Sequence, residues 1–118
     1  MSGIKARILH NPRCSKSRQA LEWLRSRGIE PEIILYLKTP LDAGQLNELL
    51  DQLDAPPQEL LRSGDREFKS TGQDIRAMTR EQIVAMLASQ PRILQRPIVI
   101  IGEHARIARP AERIAELL

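Results

Sequence analysis

The chain has 118 residues, 42% of them apolar, and its aromatics are only Trp23, Tyr36 and Phe68. That size and balance fit a single domain over residues 1–118 and argue against global disorder, while no apolar run approaches the ~20 residues of a membrane helix. The net charge is only +3, and with no basic run or interleaved aromatic platform the sequence predicts no nucleic-acid partner.

In chain order, Lys5 to Leu9 reads as a short strand, broken by the turn formers His10-Asn11-Pro12. Ser15 to Arg27 predicts a helix, with Ala20, Leu21 and Leu24 as an apolar stripe and Gly28 as the stop. Glu32 to Leu37 is a β-branched, apolar run that predicts a buried strand, parallel to the first across a right-handed crossover. Asp42 with Gln45 and Thr79 with Gln82 read as capping boxes, each opening a helix with a leucine- or isoleucine-rich face. Pro56-Pro57 opens a short helix carrying Leu60, Leu61 and Arg62. Ser63 to Ala77 reads as polar and irregular. Pro97 to Ile101 predicts a strand, Gly102 to His104 a tight turn, and Ala105 to Ala108 the returning strand of a hairpin. Pro110 at the first helical position starts a last helix with Ile114, Leu117 and Leu118 buried. The order is β-α-β, a helical insertion over about 41–94, then β-β-α. That predicts an α/β, thioredoxin-like fold with a mixed four-stranded sheet.

Cys14 is the one cysteine, so the sequence offers no internal disulfide and no cysteine-only metal site. His10 and His104 are too far apart for ligand spacing, and no metal is expected. A lone cysteine is either a small buried hydrophobe or a reactive thiol. Cys14 follows a strand and meets the first turn of a helix, where unpaired backbone N–H groups and the helix dipole favour a thiolate. Arg13, Lys16 and Arg18 add positive charge. The same features suit an anion: the loop His10-Asn11-Pro12-Arg13 would wrap a tetrahedral oxyanion against the N–H groups of residues 15 to 18. Arginine dominates the cations, 14 against 4 lysines, either as an oxyanion-binding set or as a trace of genome composition. His10 either tunes the thiolate or touches the anion, or it is a capping or core histidine. Ser17 stands where a dithiol enzyme keeps its second cysteine; its hydroxyl either donates to the Cys14 sulfur or solvates the first helical turn.

The run His10-Asn11-Pro12-Arg13-Cys14-Ser15-Lys16-Ser17-Arg18 resembles the signature of the glutaredoxin-dependent arsenate reductase family. Leu60-Leu61-Arg62, Gln95-Arg96-Pro97-Ile98-Val99 and Ala108-Arg109-Pro110 are similar to its later elements, in the same order along nearly the whole chain. The resemblance implies arsenate reduction to arsenite through a thiol–arsenate adduct on Cys14, resolved by glutathione and glutaredoxin. It makes Cys14, Arg62, Arg96 and Arg109 the catalytic set and places His10, Asn11, Ser17 and Arg18 at the anion. It implies a cis bond at Arg96-Pro97, no bound cofactor, and glutathione as co-substrate.

Longer members of that family carry a C-terminal tail beyond the last helix, so the site is also weighed against other oxyanions. A monothiol glutaredoxin-like enzyme acting on glutathione mixed disulfides is one alternative. An RNA-polymerase-binding regulator like the Spx family is another, although Ser17 breaks the Cys-x-x-Cys pair that such a switch uses. With no apolar stretch of a signal peptide at the N-terminus, the expected setting is a monomer in the cytoplasm.

Overall fold

The computed structural model describes residues 4–118. Four strands, β1 (Ala6–Leu9), β2 (Glu32–Ile34), β3 (Ile98–Ile101) and β4 (His104–Ile107), form one sheet in the order β2-β1-β3-β4. β1 pairs in parallel with β2 and antiparallel with β3, and β3 pairs antiparallel with β4. This is the predicted mixed, thioredoxin-like sheet.

Alternation along the strands divides the core between the two faces. Ala6, Ile8 and Val99 meet Ala20, Leu21 and Leu24 of α1 (Ser15–Ser26) and Ile114 near the C-terminus. Leu9, Ile98, Ile100, Ala105 and Ile107 meet the opposite layer, built from α2 (Ala43–Gln52) and α4 (Arg80–Ser89). Both predicted capping boxes are present: Asp42 Oδ1 accepts from Gln45 N at 2.8 Å, and Thr79 Oγ1 accepts from Gln82 N at 3.2 Å. α1 stops in a paired closure in which Gly28 N–H bonds Arg25 O and Ile29 N–H bonds Leu24 O. That closure needs Gly28 at φ +76°, a conformation other residues resist. Trp23 is covered by the Arg27 guanidinium, 4.5 Å from its ring centre.

The long buried strand expected over Glu32 to Leu37 is not formed. β2 ends at Ile34, and both Lys38 N–H and Thr39 N–H turn back to Leu35 O. Its partner has run out: His10 N–H takes Ile34 O, and the next residues enter the Asn11-Pro12 turn, where proline has no donor to continue a ladder. β2 is also an edge strand, with Ile33 39% exposed rather than buried. The irregular stretch after Ser63 contains a one-turn helix, α3 (Arg66–Lys69), which buries Phe68, and a 3-10 turn at Ile75–Ala77. The predicted helix after Pro56 is a 3-10 turn over Pro57–Leu60. The last helix is likewise 3-10, Ala111–Leu117, preceded rather than begun by Pro110. Ile114 is fully buried as expected, but Leu118 is 57% exposed because the chain leaves the core there.

Among the described residues no helix is long and apolar enough to cross a membrane. Leu24→Ala, which empties a fully buried site on α1, is expected to cost ~2–5 kcal/mol. Ile33→Ala on the exposed edge should stay within about 0.5 kcal/mol of the parent. Urea unfolding midpoints at constant m-value measure both; equal losses would mean that β2 is packed as the sequence pattern suggested.

Candidate active site

The topology brings four chain segments to one end of the sheet. β1 and β2 run parallel, so both deliver their carboxyl ends there: β1 into the Cys14 loop, β2 into the turn carrying Tyr36. β3 runs the other way and begins there, just after Arg96; β4 ends there, just before Arg109. Arg62 arrives by a fifth route. Leu61 bridges Leu94, Gln95 N–H bonds Leu60 O, and Arg62 N–H bonds Ile93 O at 2.8 Å. This short antiparallel contact sets Arg62 beside the segment leading to Arg96.

The nucleophile loop is tied at several points. Asn11 O accepts from Cys14 N–H, and Asn11 Oδ1 accepts from Arg13 N–H at 3.0 Å, an Asx-type turn that its side chain spends on shape. Arg18 Nη1 donates to Pro12 O at 2.8 Å. His10 is buried at 6% exposure, with Nδ1 2.6 Å from Ser17 Oγ, and that same Oγ accepts from Asn11 N–H at 3.0 Å. Ser17 itself is fully buried. Its hydroxyl is therefore committed behind the loop, neither on the Cys14 sulfur nor in solvent, which corrects both readings made from the sequence. His10 fits the core-histidine reading: the His10–Ser17 pair braces the loop from inside. Burial lowers the pKa of His10, helped by the charges of Arg25 and Arg18, so the ring favours its neutral form.

Cys14 is the N-cap of α1, with extended backbone (φ −93°, ψ 121°), half-buried and with a free thiol. Burial alone would push its pKa up. The backbone N–H groups of Ser17 and Lys16 and the Arg96 guanidinium all favour the thiolate; together they outweigh burial and lower the pKa, although the sulfur makes no cap hydrogen bond of full geometry. Ser17 thus reaches the site by its backbone.

The arginines are held with donors to spare, and only Arg62 of them meets a carboxylate among the described residues. Arg109 Nη1 donates to Arg96 O at 3.2 Å, which joins these two residues. Arg62 Nε meets Asp65 Oδ2 at 2.9 Å, leaving its buried Nη1 without a partner. Arg96 Nη1 reaches Arg92 O only at 3.4 Å, and its buried Nε is unpaired. Both Arg96-Pro97 and Arg109-Pro110 are cis; the second was not anticipated. Tyr36, read from the sequence only as a strand residue, lies within electrostatic reach of Arg96, Cys14 and Arg62. A signal for it existed: ligands gather at the carboxyl ends of parallel strands, and Tyr36 follows the strand parallel to the one that delivers Cys14.

Residues 9–117 match the ArsC family. The chain belongs to that family. Uncharacterized protein YfgD of Escherichia coli K12 is 38% identical over 115 residues, 97% of each chain. The arsenate reductase of Neisseria meningitidis serogroup A is 38% identical over 113 residues, 95% of this chain and 97% of its own. The solved arsenate reductase of Vibrio cholerae superposes with a TM-score of 0.89 at 33% identity, covering 98% of both chains. All the groups gathered around Cys14 lie inside the region matched to ArsC.

Two measurements probe this site. The rate of Cys14 alkylation by iodoacetamide should reach half its maximum below the ~8.5 of an ordinary thiol, and Arg96→Gln should move that midpoint up; an unmoved midpoint would remove Arg96 from the thiolate's surroundings. His10 binds its proton less readily folded than unfolded, so the unfolded chain holds more protons between the two pKa values. Stability should therefore fall as the pH drops below ~6.5 and level off beneath the folded pKa. The urea midpoint is expected to decrease from pH 7.5 to 5.5, with His10→Asn flattening that step.

Proposed function

We propose that this ArsC-family chain reduces arsenate to arsenite, with Cys14 as nucleophile and glutathione and glutaredoxin as the source of the remaining thiols. The observation that carries the reading is the placement of Cys14: a free thiol at the N-cap of α1, on the sheet end where Arg96 also arrives, in surroundings that lower its pKa. Thiolate is the attacking form, and a cationic surround also draws the anionic electrophile to it. The curated relatives named arsenate reductase support the choice of oxyanion.

The chemistry balances as follows. The Cys14 thiolate forms a bond to arsenic while one arsenate oxygen takes up protons and leaves as water; arsenic is still pentavalent. A glutathione thiolate then attacks the Cys14 sulfur. The sulfur–arsenic bond breaks, its electron pair stays on arsenic, and arsenite leaves. Cys14 is left in a mixed disulfide with glutathione, which a glutaredoxin thiol removes to restore the free thiol. The need for outside thiols follows from the single cysteine of the sequence.

Arg96 and Arg62, each with a buried unpaired N–H, bind the arsenate oxygens and stabilise the charge that builds on them during attack. Arg109 holds Arg96 in place through its carbonyl and adds charge. Asn11, His10, Ser17 and Arg18 keep the loop in the shape that presents backbone N–H groups to the anion. The protein works as a cytoplasmic monomer with no bound cofactor.

The test couples the chain to glutathione, glutaredoxin, glutathione reductase and NADPH. Arsenate-dependent NADPH oxidation is expected, with Cys14→Ser reducing it to background and Arg96→Lys lowering kcat by at least tenfold. Removal of glutathione from a glutathionylated peptide without arsenate turnover would instead assign the site to mixed disulfides.

A further inference from the structure

Buried polar side-chain atoms in folded proteins nearly always have a hydrogen-bond partner, and those that lack one call for an explanation. Among the described residues three such atoms lack a partner: Tyr36 Oη, Arg62 Nη1 and Arg96 Nε. They are not scattered. Tyr36 interacts electrostatically with Arg96, Cys14 and Arg62, and Arg96 interacts in the same way with the Cys14 sulfur. The three unpaired groups therefore belong to side chains that lie within electrostatic reach of one another beside the nucleophile.

The arginines are accounted for by the proposed reaction. The tyrosine is not. Its residue is 1% exposed, and its ring lies among Leu46, Leu87 and Leu94, between α2 and α4. A phenylalanine would serve that packing without burying an unpaired hydroxyl. The hydroxyl end is the end near the guanidinium of Arg96, which has no lone pair to offer and cannot accept its proton. Burial raises the pKa of Tyr36 above the usual phenol value, so the group remains a neutral O–H at physiological pH. A donor on a rigid, packed ring, left without a hydrogen-bond partner beside two guanidinium groups, is complementary to an acceptor that arrives from outside.

We propose that the Tyr36 hydroxyl is a direct ligand of the oxyanion, donating a hydrogen bond to one oxygen of the tetrahedral anion held by Arg62 and Arg96 in front of Cys14. This rests on the proposed function for the anion's identity and adds to it a neutral donor. Such a donor contributes hydrogen bonding without further charge on the arsenic, and its rigid ring fixes where one oxygen must sit.

The test separates binding from turnover. Alkylation of Cys14 by iodoacetamide is followed at fixed pH with increasing arsenate and no other thiol present, for the parent and Tyr36→Phe. The parent is expected to be protected. In the variant the half-protecting arsenate concentration should rise about tenfold or more, as for loss of a hydrogen bond to a charged group. The thermal midpoint should be unchanged or higher, since an unpaired buried hydroxyl is gone, and the alkylation pH midpoint without arsenate should be unmoved. Equal protection of parent and variant overturns the Tyr36 assignment and leaves the proposed function standing. A shifted pH midpoint with unchanged protection overturns it too, by assigning the hydroxyl to the thiolate. No protection of the parent overturns both readings. Tyr36 is the only tyrosine, so fluorotyrosine labelling gives one fluorine resonance that needs no substitution at this position. In a Cys14→Ser background that resonance should move on arsenate addition; a signal unmoved at saturating arsenate overturns the assignment independently of how well Tyr36→Phe folds.

Discussion

β1 is paired on both sides, in parallel with β2 and antiparallel with β3, and every functional group but Arg62 depends on that arrangement. A parallel neighbour places two strand ends together; an antiparallel one places a strand start beside them. With β4 returning alongside β3, the thiol loop, the Tyr36 turn, Arg96 and Arg109 converge although they are spread from residue 14 to residue 109. The site is thus a property of one sheet end, and the helices on the two faces hold that sheet rigid by burying its alternating side chains.

At that sheet end the molecule keeps like charges near one another and leaves buried donors unpaired, an arrangement that works against stability. The surrounding structure offsets it with well-satisfied local features. Capping boxes open α2 and α4, the Gly28 closure ends α1, and the His10–Ser17–Asn11 bonds stiffen the loop from its buried side. This division explains why two residues of the loop motif face inward. A thiolate site needs backbone N–H groups aimed outward, and something behind the loop must hold them so.

Much of this was legible in the sequence because it rests on local rules. The Asp42 and Thr79 caps, the leucine stripes and the glycine stop are patterns of neighbouring residues, and the motif around Cys14 carried the fold with it. What could not be read depended on partners distant in the chain. β2 is short because β1 enters a proline turn, a fact belonging to residues 10 to 12 rather than to Glu32–Leu37. Ser17 looked like a site hydroxyl because its spacing from Cys14 said so; only the buried His10 ring opposite it decides where the hydroxyl goes. Tyr36 passed as core for the same reason, its ring being apolar company while its unpartnered hydroxyl lies within electrostatic reach of Arg96. Arg62 depends on the pairing of Leu61 with Leu94, which no periodicity foretells.

The bridge between Leu53 and Ala105 has a consequence for how copies of this protein behave beside one another. β4 is an outer strand of the sheet, yet the chain emerging from α2 lies along its free side at Ala105, and Arg106 reaches Asp54 and Glu116. The opposite border, β2, is three residues long and carries exposed Glu32. One border is therefore blocked at Ala105, and the other is too short and too charged to template a further strand. The fold can keep unpaired donors at one sheet end while its sheet margins discourage edge-to-edge aggregation.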